Sequence, residues 1–297
     1  MKKFLNFLLA KSIGLYINLL SYVFPRKASQ LAYGFFSEPR TGKLFSDKLP
    51  EVLKSAKTEI LEKDEHQFPV YIWVGNETII LLVHGWESNA SRWENFLPYL
   101  QKSGSTIIAL DAPGHGLSSG KEFNVPRYAE FVDVVVEKFK PQYLVGHSMG
   151  GVTSLYYQHL YQNKNVEKLV VLCAPSDLEI LISNYAKMLS LNMKATSMIE
   201  NHFLEHFKIK MEEFSGRVFG SKIKIKGLIA HDVDDDVVSF EEAKKIASNW
   251  KDATFIETRG LGHSMHDDIL YNKISHYNIR FRVILFFHNP ISSSIFK

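Results

Sequence analysis

Short apolar runs recur along the chain, each closed by glycine, proline or a polar turn. They are Phe68 to Val74, Thr78 to Val83, Ser105 to Leu110, Tyr143 to Val145, Lys168 to Ala174, Gly227 to Ala230 after the alternating Lys222 to Lys226, and Ala253 to Glu257. Runs of this length without strict alternation suit strands buried on both faces of a mainly parallel sheet. Between them lie longer stretches with helical spacing: Ser91 to Leu100, Arg127 to Phe139 behind Asn124-Val125-Pro126, the segment from Val152, Phe240 to Trp250, and the segment from Asp268. Proline suits the first turn of a helix, where its missing N–H is not needed. Strands alternating with helices predict an α/β architecture.

Two regions break this rhythm. Residues 176–222 are helical in pattern and rich in Leu, Met, Ile and Phe, with no alternation of the strand kind. At the other end, Lys2-Lys3 precede an apolar run from Phe4 to Phe24, broken by Asn6, Lys11, Ser12, Asn18 and Ser21. As a membrane-spanning helix it would hold Lys11 near mid-span at a cost of about 2.5–3.5 kcal/mol. As a signal peptide it would have its apolar centre cut short by Lys11 and would lack a small-residue cleavage site. The spacing fits an amphipathic helix best: Lys3, Lys11, Gly14, Asn18 and Ser21 fall near one stripe, and Leu8, Leu9, Ile13, Ile17, Leu20 and Phe24 lie away from it. Such a helix packs on its own protein, on a partner or in a membrane interface. Pro25 ends it. Lys27 to Phe36 and Lys48 to Leu61 read as further helix around the turn Glu38 to Gly42. Residues 1–66 are therefore expected to be an N-terminal helical extension carrying no chemistry, and residues 67–297 the core, with 176–222 inserted in it.

Composition narrows the function classes. The chain has 297 residues, enough for a large core in one or two domains. Its formal net charge of +3 argues against a broad nucleic-acid surface. Its single cysteine, Cys173, sits in an apolar run and reads as a packing residue; no disulfide can form within the chain.

The candidate chemistry starts at Gly146-His147-Ser148-Met149-Gly150-Gly151. An apolar run enters this turn and a helical pattern leaves it. Residues two before and two after Ser148 would crowd one another, so both lack a Cβ. The stretch resembles the nucleophile elbow of the α/β-hydrolase superfamily, in which the triad partners follow in the order serine, acid, histidine. The resemblance spans about residues 68–275. It implies the α/β-hydrolase fold, with a mainly parallel sheet, helices on both faces, and a small helical cap over the site at 176–222. His84-Gly85-Trp86 resembles the family's loop after the third strand, which makes the backbone N–H groups of Trp86 and Met149 the implied oxyanion donors. Asp111-Ala112-Pro113-Gly114-His115-Gly116-Leu117-Ser118 resembles a structural loop of the family. Asp111 and His115 precede the nucleophile, so they stand outside the family order.

The family's acid loop reads G-x-x-D-x-x-V-P. Matching its valine to Val238 makes Asp235 the acid, whereas the register on Val237 makes it Asp234. Asp232 replaces the glycine and Ser239 the proline, so the two registers stay open. Asp232-x-Asp234-x-Asp236 imitates a calcium loop, but Val237 stands where glycine is required and Ala243 where the closing glutamate belongs. Gly262-His263 after the last strand resembles the family's base; His266 lacks the glycine context. The implied activity is hydrolysis of a carboxylic ester or thioester through Ser148, His263 and Asp235, with no cofactor and no metal. The expected partner is a small ester-like molecule with an apolar acyl or alcohol part. No nucleic-acid partner is expected, and residues 1–24 are a candidate for peripheral membrane contact. The expected location is the cytoplasm, with membrane association left open. A silent hydrolase-like scaffold that binds a ligand, and a perhydrolase or carbon–carbon hydrolase with the same triad, remain alternatives. A halide-displacing enzyme would need a carboxylate at Ser148.

Overall fold

The computed structural model describes residues 2–278; the apolar run Val283 to Phe287 and the tail from Asn289 lie outside the described residues. The chain opens with α1 (Lys2–Val23), α2 (Pro25–Ser37) and the single turn α3 (Glu51–Lys54), then β1 (Lys57–Lys63), β2 (His66–Trp73) and β3 (Asn76–Val83). There follow α4 (Leu97–Gln101), β4 (Ser105–Leu110), α5 (Val125–Phe139), β5 (Tyr143–His147), α6 (Met149–Tyr161) and β6 (Lys168–Leu172). After β6 come α7 (Leu178–Leu189), α8 (Met193–His202) continuing into a π-turn, and α9 (Gly216–Lys222). The described chain ends with β7 (Lys226–Asp232), α10 (Phe240–Ala247), β8 (Ala253–Thr258) and α11 (Asp268–Asn278).

The strands form one eight-stranded sheet in the order β1-β2-β4-β3-β5-β6-β7-β8. β1 and β2 pair antiparallel, as do β2 and β4; every later pair is parallel. Alternate residues of each central strand feed two separate cores. Leu81 and Val83 join α5 and α6 on one face, while Ile80 and Leu82 join α4 and α11 on the other. The period of two along an all-apolar strand thus supplies both layers at once. α5 starts where the Asn124 side chain accepts a hydrogen bond from Arg127 N and stops at Lys140, which is left-handed at φ 52°. Both are ordinary helix-end devices.

The helix expected over Lys48 to Leu61 is not formed. Only Glu51–Lys54 is helical, and Lys57–Lys63 is the edge strand of the sheet. Of its seven residues only Leu61 is buried, so an exposed edge with four charges carries little of a strand's apolar signature. The sheet therefore begins ten residues inside the segment expected to be extension. The helix expected over Ser91 to Leu100 is instead a 3-10 turn at Ala90–Trp93 followed by the short α4.

α1 lies against α2, α7 and α8, with Lys11 and Asn18 turned toward α7. Lys11 Nζ donates to the Lys187 carbonyl (3.1 Å) and to Ser190 Oγ (2.8 Å), at the C-terminal end of α7. A cation belongs at that end of a helix dipole, beside the carbonyls of the last turn. Asn18 Nδ2 donates to the Ser190 carbonyl (2.8 Å) and Asn18 Oδ1 accepts from Asn192 N (2.8 Å). Gly14 meets α7 backbone to backbone: a Cβ there would lie 1.7 Å from the Leu189 oxygen. Ile17 and Ser21 are fully buried at the same contact.

Candidate active site

Ser148 sits between the end of β5 and the start of α6 with φ 53° and ψ −123°, a conformation that costs a residue with a side chain about 1–3 kcal/mol. The surroundings hold it there. Ser148 N donates to the Leu172 carbonyl (2.8 Å), and the Ser148 carbonyl accepts from Gly151 N (2.9 Å). The flanking glycines are a steric necessity. A Cβ on Gly146 would come 2.5 Å from the Gly150 oxygen, and one on Gly150 would come 2.1 Å from the Val83 oxygen.

His263, on the loop after β8, reaches Ser148 Oγ with Nε2 at 3.0 Å. Its Nδ1 donates to Asp235 Oδ2 at 2.8 Å. Asp235, on the loop after β7, accepts at its other oxygen from Val237 N (2.8 Å) and Val238 N (2.9 Å). Burial pushes the Asp235 carboxyl up, but hydrogen bonds from His231, His263 and the two amides outweigh it and hold the group well below the usual carboxylate range. Charge-assisted hydrogen bonds have this effect when several converge on one carboxylate. Asp235 thus presents an ionised acceptor to the imidazole.

The neighbouring acids have different work. Asp234 Oδ2 accepts from Gly260 N (3.0 Å). Asp232 accepts from Asp234 N (3.0 Å), Thr258 Oγ1 (2.7 Å) and Leu261 N (3.0 Å). Asp232 and Asp234 therefore pin the backbone that carries His263, and among the described residues no hydrogen bond joins Asp234 to that ring. His266 pairs with the Tyr271 hydroxyl.

The loop carrying Trp86 packs directly on the elbow. A Cβ on Gly85 would lie 2.9 Å from Ser148 Cβ and 3.4 Å from Met149 N. Three polar side chains brace this loop. His84 Nδ1 donates to the Gly85 carbonyl (2.8 Å) and its Nε2 accepts from Ala112 N (2.9 Å). His115 Nε2 accepts from Glu87 N at 2.9 Å. Asp111 accepts from Ala90 N, Leu117 N and the Tyr71 hydroxyl. Burial pushes His84 well down and His115 down to about 4, so both rings are neutral and each can accept from an amide.

Two further contacts had no signal in the sequence. His147 Nε2 donates to the His263 carbonyl (2.7 Å), so the residue before the serine fixes the backbone of the histidine facing it. His231 Nε2, 2.9 Å from the Val238 carbonyl and 3.3 Å from Asp235 Oδ2, supports the acid from behind. Cys173 is fully buried behind the elbow, as its apolar run suggested, and burial pushes its thiol up.

A cavity of about 450 Å³ opens onto Ser148. Trp86, Met149 and Phe123 line its floor, α7 contributes Leu178, Leu181 and Met188, and α2 contributes Phe35 and Phe36. The segment expected to carry no chemistry thus supplies part of the wall. A mostly apolar pocket with few polar groups, placed outside the carboxyl ends of parallel strands, is a common site for a small ligand.

Over 99 residues the chain is 36% identical to a serine hydrolase-like protein of Danio rerio, covering 31% of this chain and 30% of that protein. It is 34% identical over 100 residues to the bifunctional esterase/perhydrolase DCH of Acinetobacter calcoaceticus, covering 32% and 36%. These matches span about a third of each relative's length. The ferulic acid-bound structure of Est1E from Butyrivibrio proteoclasticus superposes with a TM-score of 0.59 at 18% identity, covering 74% of this chain and 96% of that one, a likeness of fold. The sequence profile of the alpha/beta hydrolase fold matches residues 78–267, a span that takes in Trp86, Ser148, Asp235 and His263. The chain belongs to the alpha/beta hydrolase family.

Proposed function

We propose that the protein is a serine hydrolase that cleaves a carboxylic ester or thioester through an acyl-enzyme. The observation that carries this reading is the unbroken row Ser148 Oγ, His263 Nε2, His263 Nδ1, Asp235 Oδ2, with contacts of 3.0 and 2.8 Å, at the floor of an apolar cavity. As Ser148 Oγ attacks the carbonyl carbon, its proton passes to His263 Nε2. Asp235 holds the ring in the Nδ1–H tautomer and stabilises the imidazolium without taking the proton itself. The carbonyl oxygen becomes an oxyanion, and the Trp86 and Met149 amides are its donors. Losing one such donor costs about 2.7–4 kcal/mol where it has been measured. Collapse of the intermediate breaks the bond to the alcohol or thiol, which takes the proton from His263. Water then attacks the acyl-enzyme, giving its proton to His263, and the released Ser148 oxygen recovers one.

Residues 176–222 act in this reading as the cap over the acyl pocket, because α7 lies on the cavity and carries Leu181 and Met188 into it. Peripheral contact of α1 with a membrane belongs to the same reading, since its outer face is apolar and exposed. The test is hydrolysis of a p-nitrophenyl ester together with labelling by a fluorophosphonate. Wild type should turn over and gain one adduct on Ser148. Ser148→Ala and His263→Ala should each lose about 10⁴-fold or more in kcat while unfolding at the wild-type temperature. Retention of most activity by either variant refutes the assignment.

A further inference from the structure

α1 is an inverted amphipathic helix. Lys11, Gly14 and Asn18 are taken up by the cap, Ser21 is buried with its hydroxyl on the Asn18 carbonyl of the same helix, and Leu5, Leu8, Leu15, Tyr16, Leu19 and Tyr22 face outward. Leu15 and Leu19 keep 60% and 61% of their surface in water. Only 17% of the apolar window within Phe4–Val23 is buried, although the helix is long and apolar enough to cross a membrane by length and composition. It does not need to cross one: Lys11 and Asn18 fasten it flat along the cap. A contiguous apolar face of this size marks an interaction surface.

The charges around that face narrow the partner. Lys2 and Lys3 begin the helix, Arg26 and Lys27 follow its end, and Lys194 lies beside it with Nζ 4.6 Å from the centre of the Tyr22 ring. An apolar face with Tyr16 and Tyr22 in its C-terminal half and basic residues beside that end complements an anionic lipid surface, where the rings and amine stems sit at headgroup depth.

A second observation joins this face to the site. A groove of about 730 Å³ runs between α1, α2 and α7, walled by Leu9, Ile13, Leu31 and Leu189. It shares Phe35, Arg40 and Met188 with the cavity that contains Ser148. α1 walls one side of the groove with Asn6, Leu9, Ala10 and Ile13, and Leu9, 59% exposed, reaches from the groove toward the outer face of the helix.

From these we infer that α1 seats the protein on an anionic bilayer and that the groove leads a long acyl chain from the bilayer to Ser148, which makes a membrane-resident acyl ester the substrate class. This inference rests on the acyl-transfer reading for its chemistry and on α1 alone for its docking.

The experiment measures full-length protein in two ways. The first is co-sedimentation with phosphatidylcholine vesicles with and without phosphatidylglycerol. The second is the rate on 4-methylumbelliferyl palmitate embedded in those vesicles, divided by the rate on soluble 4-methylumbelliferyl butyrate. Wild type should pellet with the anionic vesicles. Leu15→Asp/Leu19→Asp, which changes two exposed side chains, should weaken pelleting at least about tenfold and lower the rate ratio similarly, because each leucine adds a substantial apolar contact. Gly34→Leu fills the groove where a Cβ meets nothing closer than Glu38 Oε1 at 4.0 Å. It should lower the rate ratio while pelleting stays at the wild-type level. Wild type that stays in the supernatant overturns the docking. A wild-type dimer that Leu15→Asp/Leu19→Asp dissociates, with no pelleting, overturns it in favour of a second copy on this face. Pelleting with a rate ratio that neither variant changes overturns the acyl route. If wild type hydrolyses neither ester, the acyl-transfer reading falls and the route with it, while sedimentation still decides the docking.

Discussion

The elbow end of the sheet and the N-terminal helix both bury polar groups, but they do so for opposite reasons. Around Ser148, buried polar atoms are paired so that one hydroxyl and one imidazole are held in place: His84, His115, His147, Asp111 and Asp232 all bond backbone. On α1, Lys11 and Asn18 are turned inward to finish the end of α7 beside the buried Ile17, and Leu5, Leu8, Leu15, Tyr16, Leu19 and Tyr22 are left out in water. Local sequence dictates the first arrangement, because glycines and turn residues leave the chain no other path. The second depends on the partner: amphipathic spacing defines two faces, and only the surface met by the helix decides which is covered. A stability-driven region and a contact-driven region can therefore be told apart by substitution.

The largest effect should separate the neighbouring aspartates. Asp235→Asn removes the charged acceptor of His263 Nδ1–H and should lower kcat by about 10⁴-fold, the loss seen where a triad acid is made an amide. Asp234→Asn keeps an oxygen for Gly260 N and should change kcat by less than about tenfold. Steady-state rates on one soluble ester check both. Equal losses would mean that the loop acts as a unit and that the hydrogen-bond row does not single out Asp235.

Much of this end of the molecule was legible in advance. Ser105 to Leu110 is a strand in the structure as in the sequence, and the elbow was visible from its glycines. The choice between Asp235 and Asp234 was not, because consecutive residues in a tight turn point in different directions and no periodicity says which faces the ring. β1 was read as helix since Lys57, Glu59, Glu62 and Lys63 line an edge that needs no apolar alternation. Phe35 and Phe36 gave no sign of reaching Ser148, because a cavity assembled from α2, α7 and the Trp86 loop exists only after the chain has collapsed. His115 was set aside as structural, and its bond to Glu87 N shows what that structural work is.

A smaller effect separates the two regions by acid. Burial first, and neighbouring positive charge or histidine second, push His84 and His147 well down; burial pushes His115 down to about 4. In the unfolded chain each returns to about 6.5. Between these values the unfolded state binds more protons than the folded one, so stability rises with pH across that window. It is fully present above pH of about 6.5 and is lost as pH falls toward 4, with His115 alone contributing on the order of 3 kcal/mol. Urea midpoints at pH 7 and pH 5 should differ in wild type, and His115→Gln should reduce the difference. The Asn18 contacts hold no titrating group on the α1 side, so protease access to α1 should change less over the same range.

The smallest effect tests the inversion of α1 directly. In an ordinary surface helix, replacing an apolar residue with a polar one destabilises, and the reverse change is mild. Here the signs should exchange. Asn18→Leu removes the partner of the Ser190 carbonyl and of Asn192 N and puts an apolar group into a polar seam, at a cost of about 0.5–1.5 kcal/mol. Leu19→Asn replaces a side chain that is 61% exposed in water and should stay within about 0.5 kcal/mol of wild type. Thermal unfolding of the two variants in vesicle-free buffer reads the difference. If α1 docks on lipid as proposed, adding anionic vesicles should then penalise Leu19→Asn and leave the ranking of Asn18→Leu against wild type as it was, because only the outer face of the helix would meet lipid.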